Sequence, residues 1–247
     1  MLKAVLFDFS DTLFWRDGAE RLHTLLGGAD GELDATTLNS VWLEVKRKSA
    51  TPAELAKCRD SSAVTLGLRS AASLQCSPGL PTPYSRDSAV SHRRCWVDLL
   101  SPFNAFHPNA AQMIYDDQPD PLGWHPFAET IEVLETLGTC GIPVGVVSDI
   151  GWDVRPVFRH FGVERFVSVW VLSYEHGTEK PDPRLFELGC QGLGSLPKET
   201  LMVGDSVEKD AGAARAGLTA LTLAPYEGSG DRGLRHALKL LPTAEEM

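Results

Sequence analysis

The sequence has no long hydrophobic run, no cysteines at metal-binding spacing and no excess of basic residues. Each absence closes off a class of protein. A membrane-spanning helix needs about 18 or more consecutive apolar residues, and no segment approaches that. The apolar stretch Ala4-Val5-Leu6-Phe7 meets Asp8 too early to form the core of a secretion signal. The cysteines Cys58, Cys76, Cys95, Cys140 and Cys190 are odd in number and scattered, with no CxxC pair. Reduced thiols in a cytoplasmic protein are the expectation. Lys and Arg total 23 against 33 Asp and Glu, a net charge of −10. Nucleic acids and membranes both require a basic face, so neither is expected as a partner. A small anion needs only a local positive site and stays open.

What is present suffices for a core. The chain has 247 residues, 43% of them hydrophobic. That fits one large domain, or a core domain with a smaller companion.

Short apolar runs recur along the chain. Residues 3–9 (KAVLFDF) end at an acidic position, and similar runs occupy 142–147, 167–172, 200–204 and 219–223. Runs of this length without alternation read as strands buried on both faces. Helical spacing lies between them, over 128–138, 153–161, 184–190 and the Ala-rich 208–216. Strands alternating with helices predict an α/β fold: a doubly wound, mostly parallel Rossmann-like sheet. The alternation stops between about 15 and 124. Helical pieces are expected there near 18–26, 35–49, 86–100 and 108–116, with no strand. Residues 50–85 are rich in Ser, Ala, Pro and Thr and predict a long loop, mobile in part. The expected division is a core of 1–14 and 125–247 with a helical cap inserted at 15–124.

Polar residues collect where the apolar runs end: Asp8 after the first, Ser148 after the second, Asp205 after the fourth, with Lys180 in the loop beyond the third. In a doubly wound sheet, ligands bind outside the carboxyl ends of the strands, so one crevice would gather all four. Taken singly, each has a plainer reading. Asp8 could cap a turn, Ser148 could cap a strand end, and Lys180 could be a solvated loop lysine. The ordered set argues against them.

The segments FDFSDTLF (7–14), VVSD (146–149), EKPDPRLF (179–186) and VGDSVEKDAGAARAG (203–217) together resemble the four ordered motifs of the haloacid dehalogenase-like hydrolase superfamily. The match covers residues 1–14 and roughly 124–247, and the insert resembles the helical cap of one branch. The resemblance implies a Mg²⁺-dependent phosphatase acting on a small phosphorylated metabolite. Asp8 is then the nucleophile that forms an aspartyl-phosphate, which water hydrolyses. Two anions in one crevice call for a divalent cation with oxygen ligands. Asp8, the main-chain carbonyl of Ser10, Asp205 and, in a supporting role, Asp210 are the implied metal set. Asp210 read alone could be a carboxylate favoured by a helix start. Thr12, Ser148, Asp149 and Lys180 are the implied substrate set. Ser148 offers its hydroxyl and Lys180 its positive charge to the phosphoryl oxygens, and Pro181 favours an extended backbone at Lys180.

The first motif departs from the family pattern. Phosphatases of the family carry a second Asp two residues after the nucleophile as general acid and base. Here that position is Ser10, and the next is Asp11. Serine does not serve as an acid or base near neutral pH without help. The departure leaves the fold and metal site intact but opens alternatives. One is a phosphonate-cleaving or dehalogenating member. Another is a low-activity ligand-binding homologue. Retention of GDSxxxD weighs against dehalogenation, and none of Lys46, Lys48 and Lys57 is marked out for phosphonate chemistry. Asp11 could also act from the neighbouring position, although an extended loop would point it elsewhere. His125, His160 and His176 show no ligand spacing. Trp15, Trp42 and Trp96 are expected in the cap core, and Arg155 is expected to pair locally with Asp153.

Overall fold

The computed structural model describes residues 1–16, 18–26, 37, 40–41, 88–224 and 231–241. Most of the helix expected over 35–49, the loop expected over 50–85, and Trp42, Lys46, Lys48 and Lys57 lie outside those residues.

The strands are β1 Ala4–Phe7, β2 Phe14–Arg16, β3 Trp124–Pro126, β4 Val144–Ser148, β5 Val167–Leu172, β6 Thr200–Gly204 and β7 Thr219–Thr222. Five of them form one sheet in the order β5-β4-β1-β6-β7. Every pairing in it is parallel. The chain builds outward from β1 to β4 and β5, then crosses back to β6 and β7. The reversal lies beside β1, where open α/β sheets leave a crevice at the carboxyl ends of their strands.

Alternation along each strand divides the core between the two faces. Val5 and Phe7 of β1 join Val144, Val146, Leu201 and Val203 on one face. The helices Thr130–Thr139, Arg155–His160 and Arg235–Leu240 cover that face through Val133, Leu134, Leu137, Val157, Phe158 and Ala237. Leu6, Val147, Val171 and Met202 point the other way, against Leu185, Phe186 and Cys190 of the helix Pro183–Leu193. Both faces are therefore dry, which is why these strands read as unbroken apolar runs.

The insert carries the helices Gly18–Leu25, Ala89–Leu100 and Ala110–Asp116 and a 3₁₀ turn at Ser101–Ala105. The start of the helix Ala89–Leu100 is fixed by Ser88, whose Oγ accepts the Ser91 N–H at 3.1 Å. Leu22, Trp96, Leu100, Phe103, Ala110, Ala111, Ile114 and Tyr115 form a hydrophobic cluster of their own.

No strand was expected in the insert, yet β2 and β3 pair antiparallel, with Trp15 opposite His125 and Arg16 opposite Trp124. Three-residue strands are too short to show alternation in a sequence. The ribbon clamps the two ends of the insert together, and the boundaries expected near 15 and 124 fall inside it. Arg16 is buried beneath the ribbon. It donates to the Asp117 carboxylate, to the Asp117 carbonyl at 2.9 Å and to the Gln118 carbonyl at 3.2 Å. Burial lowers the Arg16 pKa to about 10 against the raising effect of Asp117, so it stays charged at neutral pH.

The expectation of reduced thiols throughout does not hold. Cys95 is disulfide-bonded, whereas Cys140 and Cys190 are free. A disulfide removes the support that cysteine usage lent to a cytoplasmic location. No helix of the described residues is long and apolar enough to cross a membrane.

Candidate active site

Register places Asp8, Ser148 and Asp205 at one end of the sheet. Phe7 lies opposite Val146 on one side and Val203 on the other, so the chain leaves β1 at Asp8 between the ends of β4 and β6. The Asp8 N–H donates to the Val203 carbonyl at 2.9 Å. Ser148 ends β4 and is buried. Asp205 follows Gly204 at the end of β6.

The loop after β1 is anchored from behind. Phe9 points away from Asp8 into the core, with its ring centroid 4.5 Å from that of Trp124, 5.4 Å from Phe14 and 5.8 Å from both Trp152 and Phe158. The Phe9 carbonyl accepts from Leu13 N at 3.0 Å and from Phe14 N at 3.1 Å, which folds Ser10, Asp11 and Thr12 into a tight turn. Asp11 has φ 54°, and among the described residues no other non-glycine has positive φ. Ser10, Asp11 and Thr12 are all buried. Among the described residues, Thr12 Oγ1 has no hydrogen-bond partner.

Carboxylate oxygens of Asp8, Asp205 and Asp210 all lie within 4.8 Å of one another. Lys180 stands between two of them, with Nζ 2.8 Å from Asp8 Oδ1 and 2.5 Å from Asp210 Oδ1. The other Asp210 oxygen accepts the Ser206 N–H at 2.9 Å. Asp210 precedes the 3₁₀ helix Ala211–Ala216 but makes no side-chain cap to it, so its carboxylate serves this cluster and not the helix start. Lys180 is joined to Pro181 by a cis peptide bond.

Burial dominates the electrostatics. It raises the Asp8 pKa to about 6, aided by the Asp210 charge and opposed by Lys180. Asp205 is pushed well above the usual carboxylate range by burial, then by the charges of Asp11, Asp210 and Asp8. Asp11 lies buried in a turn with φ 54°, not in the extended loop expected there. Burial alone would lower the Lys180 pKa. Asp210, Asp8 and Asp149 outweigh it, and the net direction is up.

Asp149 holds the surrounding loops together. One oxygen accepts the Lys180 N–H at 2.8 Å and the other accepts Lys209 Nζ at 2.5 Å. Burial pushes the Asp149 pKa up, but Lys209 and Lys180 outweigh it and the net shift is downward. Beyond β4, Ser173 Oγ accepts from Ile150 N at 2.9 Å and donates to Ile150 O at 3.0 Å, fixing the loop that carries Asp149. The insert meets the same loop. His92 packs its ring on Gly151, where a Cβ would come within 2.6 Å of His92 Cγ. His92 is buried, with Nδ1 2.8 Å from Tyr115 Oη.

Lys209, Ser173 and Arg232, whose Nε donates to the Asp11 carbonyl at 2.6 Å, are the contributors that the sequence did not single out. Lys209 sits inside the VEKD stretch and could have been weighed for its neighbours. Ser173 and Arg232 lie in segments without a motif. His125, His160 and His176 are exposed. Trp96 lies in the insert's core. Trp15 stacks on His125 with centroids 4.7 Å apart. Arg155 pairs with Asp153 at 3.0 Å and with Glu175 at 2.9 Å.

The family model described as haloacid dehalogenase-like hydrolase matches residues 2–217. Glyceraldehyde 3-phosphate phosphatase of Methanopyrus kandleri is 34% identical over 101 residues, 40% of this chain and 43% of that protein. Phosphoserine phosphatase of Thermus thermophilus is 41% identical over 75 residues, 30% of this chain and 27% of that protein. The matched stretch thus spans less than half of either relative. Among solved structures, a predicted phosphoglycolate phosphatase from Haemophilus somnus covers 97% of both chains with a TM-score of 0.56 at 19% identity, a likeness of fold. The family match extends over most of the chain, and the chain belongs to the haloacid dehalogenase-like hydrolases.

Proposed function

We propose that this haloacid dehalogenase-like hydrolase is a Mg²⁺-dependent phosphatase of a small phosphorylated metabolite, with Asp8 as the nucleophile. The observation that carries the proposal is the cluster of Asp8, Asp205 and Asp210 around the Lys180 ammonium. Three carboxylates in a buried site exceed the charge that one lysine balances, and burial, with the neighbouring carboxylates adding to it, raises the pKa values of Asp8 and Asp205. Hard oxygen donors gathered in this way suit a divalent cation, and Mg²⁺ in particular. Asp8, Asp205 and the Ser10 carbonyl would hold it, with Asp210 supporting. When bound, it supplies positive charge that offsets the carboxylates and the phosphoryl group.

The residues of the chain divide the remaining work. An Asp8 carboxylate oxygen attacks phosphorus, a P–O bond forms, and the bond to the leaving oxygen breaks. Lys180 and the Ser148 and Thr12 hydroxyls contact phosphoryl oxygens. Asp149, with both oxygens engaged, braces Lys180 through its N–H. Water then cleaves the aspartyl-phosphate, releases inorganic phosphate and restores Asp8. The insert acts as a cap that selects the leaving group. The β2–β3 ribbon and the His92 contact three residues beyond Ser148 support that role.

Relatives named as phosphatases of glyceraldehyde 3-phosphate and phosphoserine agree with a small phosphomonoester. The proposal is tested by acid-quenching the protein during turnover of an aryl phosphate and mapping the phosphoryl group by mass spectrometry. It should lie on the peptide containing Asp8. Phosphate found elsewhere would refute the nucleophile assignment.

A further inference from the structure

The family match ends at residue 217, but the chain returns to the site afterwards. Asp231–Leu241 is fastened to the core on the face that carries the helix Thr130–Thr139. Leu234, Ala237 and Leu241 are buried there. Glu129, almost wholly buried, accepts the Gly233 N–H at 3.0 Å and lies 3.5 Å from Arg235 Nη1. Arg235 also pairs with Glu132 at 2.5 Å. A buried carboxylate spent on one backbone N–H and one arginine fixes the register of the segment.

That register delivers Arg232, itself 5% exposed, to the rear of the turn after Asp8. Arg232 Nε donates to the Asp11 carbonyl at 2.6 Å, and Nη1 donates to the Ala224 carbonyl at 2.5 Å. Its guanidinium lies over the Phe127 ring, 5.5 Å from the centroid. The carbonyl it holds belongs to the residue with φ 54°, the point where the turn changes direction. The planar fork spans the turn on one side and the end of β7 on the other, a geometry that an ammonium does not reproduce.

We propose that Arg232 is a positioning residue for the nucleophile's loop: by holding the Asp11 carbonyl it sets the direction of Ser10, Asp11 and Thr12 relative to Asp8. The proposal deepens the phosphatase reading and rests on it. The C-terminal segment is then part of the working site. Its positive charge also acts on Asp205, against the neighbouring carboxylates.

The test compares wild type, Arg232→Ala and Arg232→Lys on an aryl phosphate with Mg²⁺, with rates normalised to the folded fraction by circular dichroism. A misplaced reacting group costs rate more than binding, so kcat should fall roughly tenfold to a hundredfold in both variants with KM little changed. Millimolar guanidinium should restore part of the kcat of Arg232→Ala and none of that of Asp8→Asn. Arg232→Lys keeps a charge and an apolar stem over Phe127, so it remains informative if the Ala variant folds poorly. Wild-type kcat in Arg232→Lys, or a loss in Arg232→Ala without guanidinium rescue, would overturn the proposal. If wild type does not hydrolyse the aryl phosphate, the phosphatase reading fails separately. Arg232 is then judged by amide hydrogen exchange over residues 9–14, which should be faster in Arg232→Lys. Unchanged exchange there sinks the proposal on its own.

Discussion

A methyl group on Gly204 would overlap Cγ and Oδ2 of Asp210. The last residue of β6 is thus glycine because the carboxylate that pairs with Lys180 lies flat against its backbone. Gly204→Ala should push Asp210 away from Lys180 and strain the end of the strand. Overpacking of this kind typically costs about 1–3 kcal/mol. The expected outcome is a folded but less stable protein whose Mg²⁺ requirement for activity moves to higher concentration. Urea unfolding and a Mg²⁺ titration of turnover check both parts, and a variant with wild-type Mg²⁺ response would separate Asp210 from the metal.

The pKa shifts give a second prediction with a definite sign. Asp8 in the folded protein titrates at about 6 against an ordinary value of 3.8. A carboxyl group raised by folding binds its proton more tightly in the native state. Its contribution to stability is present below the ordinary value and is lost as pH rises through the raised one. Mg²⁺ and the proton compete for the same oxygens. Thermal melts at fixed Mg²⁺ should therefore show a small metal-induced rise in Tm near pH 5 and a larger one near pH 7. A rise that is independent of pH would contradict metal binding at this cluster.

The residue two positions after Asp8 decides the third. General acid–base catalysis contributes about a hundredfold to ten-thousandfold, and Ser10 does not supply it unaided. If no other residue does, aryl phosphates with good leaving groups should turn over faster than alkyl phosphates, and Ser10→Asp should raise alkyl turnover. The sequence placed Asp11 on another side of an extended loop, whereas the chain there makes a turn at φ 54° that buries it. That geometry strengthens the competing assignment of Asp11. Comparing Ser10→Asp with Asp11→Asn decides between them: loss in the second without gain in the first makes Asp11 the acid and base.

The sheet was legible because its central strands β1, β4 and β6 are buried along their whole length and read as apolar runs with a polar residue at or just beyond their ends. Asp8, Ser148 and Asp205 could be placed at one edge for the same reason. The β2–β3 ribbon was not legible, because it is too short to carry a period. The bend at Asp11 was hidden for a different reason: the turn is imposed by Phe9 packing in the core and by a carbonyl bond from Arg232, more than two hundred positions away. Lys209 and Asp149 form their pair across the gap between two loops, and nothing local to either residue announces it. Long-range polar contacts of this kind became visible only in the folded chain.

The most direct test of the central claim is hydrolysis of an aryl phosphate by wild type and Asp8→Asn, each with Mg²⁺ and with chelator. The amide neither attacks phosphorus nor binds a divalent cation well. The account predicts turnover in wild type with Mg²⁺, loss on chelation, recovery on adding Mg²⁺ back, and none in Asp8→Asn. Full activity in Asp8→Asn, or wild-type turnover that ignores the chelator, would contradict it.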